Sequence, residues 1–229
     1  MPSRYETSVP SHSDPFHRTA ILLRWVGCDK DVLELGCSSG FISREMAKTG
    51  CRVVGVDHDS DSLTTAALWC ARTVCGDLNN TIWLESLSET FDVILLGDVL
   101  EHLVNPSKLL VEIRSLLRPE GYLVASIPNI AYWSVRKDLL LGRFDYTPTG
   151  LLDETHLRFF TWKTAHRLIE SAGYQIEAFH PVCGGQVLGP LRPVFQWLGN
   201  RFPNVLGYQL LFKAKRDLRF CPADGAASA

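Results

Sequence analysis

The stretch Asp31-Val-Leu-Glu-Leu-Gly-Cys-Ser-Ser-Gly40 reads as a short buried strand, a glycine-bearing turn and the opening of a helix. The apolar run stops at Gly36. Beyond Gly40, residues Phe41, Ile42, Met46 and Ala47 recur about one turn apart until Gly50 ends the helix. A second β-branched run, Cys51 to Val56, ends at Asp57, and Phe91 to Leu96 is the clearest strand of all. Between them the pattern predicts a helix from Ser60 to Arg72 and a short strand at Thr73 to Cys75. Asn105 as N-cap and Pro106 at the first position open a further helix, with apolar face Leu109, Leu110, Ile113, Leu116 and Leu117. After a turn at Pro119-Glu-Gly121, Tyr122 to Ile127 forms a fifth strand. Thr161 caps a helix that runs to Ala172 and closes at Gly173. Tyr174 to Phe179 and Tyr208 to Ala214 alternate like two last strands, paired antiparallel at a sheet edge. Strands alternating with helices give a Rossmann-like, doubly wound, mostly parallel seven-stranded sheet with an antiparallel edge hairpin. Such a sheet takes its ligand beyond the carboxyl ends of its strands, near the point where strand order reverses.

Composition narrows the classes. The chain has 229 residues, 46% apolar and 21% charged, with 23 Lys+Arg against 25 Asp+Glu. That suits one globular domain and argues against a nucleic-acid coat or a polybasic membrane binder. No uncharged apolar run approaches the roughly 20 residues of a spanning helix; the longest, Gly121 to Val135, is interrupted by Pro128 and Asn129. Residues 1–20 read as a polar tail without the apolar stretch of a signal peptide. Residues 31–181 form the ligand-binding core, 129–160 a segment facing the substrate, 183–206 an insertion before the last strand, and 220–229 a disordered tail. Seven cysteines, none in a C-x-x-C pair, fit reduced thiols in a cytoplasmic protein.

Asp57 lies 21 residues after Gly36, at the tip of the second strand, where a carboxylate accepts both hydroxyls of a ribose. A dinucleotide fingerprint needs glycine two and five residues after Gly36, where this chain has Ser38 and Phe41. The turn also lacks the lysine of a phosphate-cradling loop. The ligand expected is therefore a nucleoside without pyrophosphate, and S-adenosylmethionine answers that description.

The segments VLELGCSSG, VVGVD, CGD, FDVILLGDVLEHL and LRPEGYLVASIPN, in that order and spacing from Asp31 to Phe179, resemble the class I S-adenosylmethionine-dependent methyltransferases. The resemblance implies that Gly36, Cys37, Ser38 and Gly40 line the methionine part of the cofactor, with Glu34 supporting the turn. Asp57 would hold the ribose with His58 beside it, Asp77 the adenine amino group with Leu78 alongside, and Gly97 and Asp98 would stand next to the sulfonium. Ser38 departs from the family's usual glycine.

Methyl transfer to a hydroxyl needs alignment together with removal or weakening of the hydroxyl proton. The groups suited to that are Asp98, Glu101 and His102 after the fourth strand and His156 after the fifth. This arrangement is similar to the ubiquinone-biosynthesis O-methyltransferases and, more distantly, to the small-RNA 3′-terminal 2′-O-methyltransferases. Those families hold a divalent cation with an acid-x-x-Glu-His motif and a later histidine. The resemblance implies Asp98, Glu101, His102 and His156 as ligands for Mg²⁺, Mn²⁺ or Zn²⁺, although Asp98 stands where those families carry Glu. Without a metal, His102 or His156 would serve as the base; otherwise Glu101 and His102 merely brace the next helix.

Residues 129–160 combine Trp133, Phe144 and Tyr146 with Arg136, Arg143 and Arg158, a composition suited to a sugar ring, a quinol or an anionic group. The alternative is a lid in which Arg158 pairs with Asp153. The wording GRFDYTPTGLLDETHLRFFT resembles methyltransferases of cell-surface polysaccharide and glycolipid assembly, so the expected acceptor is a small-molecule, glycan or lipid-linked hydroxyl. The insertion, with Val187, Leu188, Leu191, Val194, Phe195, Leu198 and Phe202, reads as a domain-packed cover, an interfacial helix in peripheral membrane contact, or a dimer face. His12, His17 and His166 are expected to be non-catalytic. Competing readings are N- or C-methylation, a silent cofactor-binding partner of another enzyme, and a nicotinamide oxidoreductase.

Overall fold

A computed structural model describes residues 17–183 and 192–220. Seven strands form one sheet: β1 (Asp31–Leu35), β2 (Arg52–Asp57), β3 (Arg72–Cys75), β4 (Phe91–Gly97), β5 (Leu117–Pro128), β6 (Tyr174–Cys183) and β7 (Gly207–Arg216). Their order is β3-β2-β1-β4-β5-β7-β6. The first five run parallel, and β7 lies antiparallel between β5 and β6. The expected Rossmann-like sheet is present, and the antiparallel pair sits at the expected edge.

Side-chain alternation along the strands builds two cores. Leu33 and Leu35, Val54 and Val56, Ile94 and Leu96 face one way, into the layer filled by Leu109, Leu110, Ile113, Ala165 and Ile169. Val32, Val53, Val93 and Leu95 face the other, against Ile21, Leu22, Val26, Met46 and Leu63. The first layer belongs to α4 (Pro106–Ile113) and α6 (Trp162–Ser171), the second to α1 (Arg18–Val26), α2 (Phe41–Ala47) and α3 (Ser60–Ala66). Burial on both faces explains why β1 and β4 read as near-continuous apolar runs. Asn105 caps α4 by accepting from the Lys108 amide at 3.1 Å, and Thr161 caps α6 in a reciprocal pair with Thr164.

Several boundaries differ from expectation. The polar stretch gives way to α1 already at Arg18, with His17 as its N-cap, because Ile21, Leu22 and Val26 have a core to enter. Helix α3 stops at Ala66, six residues short of the predicted end at Arg72, where β3 begins pairing with β2. The turn at Pro119-Glu-Gly121 is absorbed into β5 through a register shift opposite Phe91 and Val93. Residues 129–160 contain a helix, α5 (Trp133–Leu140), and the insertion contains α7 (Arg192–Arg201) and α8 (Pro203–Leu206). Val187, Leu188, Leu191, His12 and the 221–229 end lie outside the described residues.

The fold positions the site through register. Leu35 pairs with Val56 on one side and Leu96 on the other, so Gly36, Asp57 and Gly97 leave the sheet side by side. This is the switch point, since β1 is followed outward by β2 and β3 and inward by β4 and β5.

Candidate active site

The turn after β1 is held by its neighbour strand. The Gly36 and Cys37 amides both donate to the Val56 carbonyl, at 2.8 and 3.2 Å. Gly36, Ser38 and Gly40 all have positive φ, at 70°, 47° and 79°. At Gly36 a Cβ would stand 2.6 Å from Val99 Cγ2, so glycine is required there for both conformation and space. Ser38 accepts the left-handed conformation and donates its amide to Asp57 Oδ2 at 2.8 Å. The other carboxylate oxygen of Asp57 takes the Asp59 amide at 3.0 Å and lies 3.2 Å from Nδ1 of exposed His58. Asp57 is thus locked to the turn by the side facing the protein.

Glu34 is buried beneath that turn and hydrogen-bonds the Ser43 hydroxyl. Burial pushes its carboxyl up to about 8, against the pull of Ser43. The Cys37 side chain points into the second core layer, next to Gly55 and Cys70, leaving its backbone to the crevice. The neighbouring Cys70 and burial raise its thiol well above the ordinary range. Asp77 is exposed after β3 and accepts from the Asn79 amide at 2.9 Å, with Leu78 packed on the core beside it.

Beyond β4 the candidate ligands separate into two groups. Asp98, at φ 58°, turns back toward the sheet. It accepts from Ser126 Oγ at 2.5 Å and Gln209 Nε2 at 2.8 Å, and pairs with Arg18 of α1. Glu101, His102 and His156 instead converge, each offering a ligand atom within 4.8 Å of the others. Of the four residues expected to hold a metal, Asp98 is not in the converging group; its carboxylate is taken up by Ser126, Gln209 and Arg18. Arg18, Ser126 and Gln209 carry this network, and none of them was singled out in the sequence.

Two backbone bonds bring His156 to His102. The Leu157 and Arg158 amides both donate to the Glu101 carbonyl at 2.9 Å, stitching the segment after β5 to the turn after β4. The two imidazoles meet edge to face, with centroids 4.9 Å apart. His102 Nδ1 lies 3.2 Å from the Thr155 carbonyl and His156 Nδ1 lies 3.3 Å from the Leu151 carbonyl. A carbonyl only accepts, so both Nδ1 atoms carry the proton and both Nε2 atoms are the basic ones. Burial lowers both imidazole pKa values, and for His156 the charge of His102 adds to that effect. Thr155 is itself oriented by buried Asp153, which accepts from its amide at 2.8 Å and its hydroxyl at 2.7 Å.

Glu101 is wholly buried, and no side chain hydrogen-bonds either carboxylate oxygen. Burial raises its carboxyl to about 8, partly opposed by Arg18. A buried carboxylate whose oxygens accept from no side chain, beside two imidazoles, makes a group of three donors that could hold a metal ion.

Phe144, Tyr146 and Phe159 stack edge on edge at 5.6 to 6.4 Å, and Phe159 lies 6.2 Å from His156. Trp133, Arg136, Arg143 and Tyr146 are exposed. Arg158 does not pair with Asp153; its guanidinium donates to the Val104 carbonyl at 2.7 and 3.2 Å. His166 pairs with Glu170, one turn on along α6, and is not part of this cluster.

A family model described as a methyltransferase domain matches residues 15–178. Over 157 residues the chain is 34% identical to a ubiquinone biosynthesis O-methyltransferase of Parvibaculum lavamentivorans, covering 65% of this chain and 60% of that protein. Over 150 residues it is 30% identical to a probable S-adenosylmethionine-dependent methyltransferase of Mycolicibacterium smegmatis, covering 65% and 53%. The chain thus spans roughly half to three fifths of the length of these two relatives. A solved methyltransferase structure from Archaeoglobus fulgidus superposes with a TM-score of 0.61 at 19% identity, covering 86% of this chain and 92% of that one. The sheet order, the glycine turn locked to Asp57 and a family match over most of the sequence agree: the chain belongs to the methyltransferase domain family.

Proposed function

We propose that this chain is an S-adenosylmethionine-dependent O-methyltransferase whose acceptor is a small-molecule, glycan or lipid-linked hydroxyl. The observation that carries the oxygen acceptor is the convergence of Glu101, His102 and His156 beside the cofactor crevice. An N- or C-methyltransferase would leave His102 and His156 without an oxygen to activate.

In this reading the backbone of Gly36, Cys37, Ser38 and Gly40 takes the methionine end of the cofactor, and Glu34 props the turn from below. Asp57 meets the ribose with its remaining lone pairs, with His58 alongside. Asp77 and Leu78 address the adenine, and Gly97 and Asp98 border the sulfonium. The carboxylate of Asp98 adds negative charge there, and its three partners fix its orientation.

Glu101, His102 and His156 would hold a divalent cation, and imidazole donors favour Mn²⁺ or Zn²⁺ over Mg²⁺. A bound cation supplies Lewis acidity that lowers the pKa of a hydroxyl beside it. The chain's own part is orientation. Thr155 and Leu151 carbonyls fix both imidazole tautomers, Asp153 fixes Thr155, and the Glu101 carbonyl fixes the His156 segment. Trp133, Arg136, Arg143 and Tyr146 align the acceptor, so that catalysis rests mainly on in-line approach in a water-poor crevice.

A labelled-methyl assay against fractionated lipids, glycans and quinols, followed by mass spectrometry, tests this. Label on an oxygen supports the reading. Label on nitrogen or carbon would reject the acceptor chemistry, and tight cofactor binding with no transfer to any fraction would favour a silent partner.

A further inference from the structure

The largest run of exposed apolar side chains lies at the same end of the sheet as the site. On α5, Trp133, Lys137, Leu140 and Leu141 follow the spacing of one helix face, and Leu140 is 88% exposed and Leu141 61%. Val135 points the other way and is buried. Lys137 Nζ lies 5.9 Å from the centroid of the Trp133 ring. On α7, Val194 and Trp197 stand three residues apart, both exposed, Trp197 at 66%; Phe202 and Val205 continue the apolar surface toward α8.

The start of α5 is tied to α8 and to the start of β7, and α7 packs on α8. Asn129, just before α5, donates to the carbonyls of Gly207 at 2.7 Å and Pro203 at 3.2 Å, and the Tyr132 ring meets Tyr208 edge-on at 5.5 Å. Strand β6 runs parallel to β5, so α7, which follows it and returns Gln196 to the Pro181 carbonyl at 2.7 Å, leaves the sheet at its carboxyl end, as α5 does. Both helices therefore stand at the end of the sheet where Gly36, Asp57 and Gly97 leave it.

Charge decides among the possible covers. Residues 132–146 and 192–206 contain Arg136, Lys137, Arg143, Arg192 and Arg201 against only Asp138 and Asp145, a local excess of cations in a chain of net charge −2. A second copy of this chain would bring like charge against like charge. Exposed Leu beside Trp and Lys/Arg is instead the composition that settles into the headgroup layer of a bilayer. We propose that the α5 and α7 faces dock this protein on an anionic lipid surface, with Leu140, Leu141 and Trp197 entering it. If the proposed O-methyltransferase reading also holds, an acceptor hydroxyl displayed at that surface is presented directly to Glu101, His102 and His156.

Co-sedimentation of the full chain with vesicles tests the docking without reference to turnover. The protein is expected to pellet with vesicles of mixed phosphatidylglycerol and phosphatidylcholine, and much less with phosphatidylcholine alone. Raised salt should weaken the association. The Leu140→Glu/Leu141→Glu pair, Trp197→Glu and Lys137→Glu should each weaken it by about tenfold or more, with thermal unfolding unchanged because these side chains are exposed. Protein left in the supernatant with the anionic vesicles would overturn the proposal, as would folded variants that bind equally well. So would a concentration-dependent dimer that Leu140→Glu dissociates, since the cover would then be a second copy.

Discussion

His102 and His156 stand edge to face, their ring centroids 4.9 Å apart, although they come from loops after different strands. What joins them is the Glu101 carbonyl, which accepts the amides of both Leu157 and Arg158. The same residue thus joins the two segments with its backbone and brings its carboxylate within 4.8 Å of both imidazoles.

Removing His156 or Glu101 should therefore damage turnover and spare cofactor affinity. His156→Ala is expected to lower kcat about 10²- to 10⁴-fold, with the KM for cofactor nearly unchanged. A chelator should reproduce the loss, and Mn²⁺ should restore the parent but not the variant. Steady-state kinetics with and without EDTA read this directly; full activity in excess chelator would remove the cation from the account.

Asp57→Ala should show the opposite pattern. It deletes the anchor of the Ser38 amide and, in the proposed reading, a charge-assisted contact to the ribose, so cofactor KM should rise about 10- to 150-fold. Initial rates at saturating acceptor measure it, and an unchanged KM would mean the ribose lies elsewhere.

Glu34 carries a pH signature in stability. Its folded-state pKa, raised to about 8 from 4.5, lies above its unfolded value, so the fold favours the protonated acid. Its contribution is complete below the unfolded value and declines as pH rises toward 8, by about 1.4 kcal/mol per unit at most. Urea unfolding of the parent between those limits should show falling stability with rising pH. Glu34→Gln, which keeps a partner for Ser43, should flatten the decline.

Gly36→Ala combines two penalties, a left-handed backbone and a Cβ 2.6 Å from Val99 Cγ2. Together they should destabilise the fold by about 2–4 kcal/mol. Adding Val99→Ala removes the clash but not the backbone strain, so the double variant should recover stability relative to Gly36→Ala alone, less the loss from trimming Val99 itself. Chemical denaturation of the three variants checks the coupling.

What the sequence disclosed follows its physics. Strands β1, β2 and β4 announce themselves because burial on both faces leaves only apolar side chains, and Asn105 and Thr161 mark helix starts through local capping chemistry. The spacing of Gly36 and Asp57 locates the crevice for the same local reason. Helix α1 escaped notice because its few core positions, Ile21, Leu22 and Val26, follow a polar stretch. Helix α5 was hidden because its apolar residues face outward and break the expected amphipathic pattern. The resemblance implied that Asp98 joins Glu101 and His102. Its backbone at φ 58° and its distant partners Ser126, Gln209 and Arg18 belong to a separate network that no local pattern encodes. The Arg158 contact with the Val104 carbonyl is of the same non-local kind.

Isothermal titration of the purified chain with S-adenosylhomocysteine, beside NADH as comparator, addresses the crevice itself. The account predicts one saturable site for the sulfur nucleoside, weakened by Asp57→Ala, and no heat from NADH. Saturable NADH binding with no response to S-adenosylhomocysteine would contradict it.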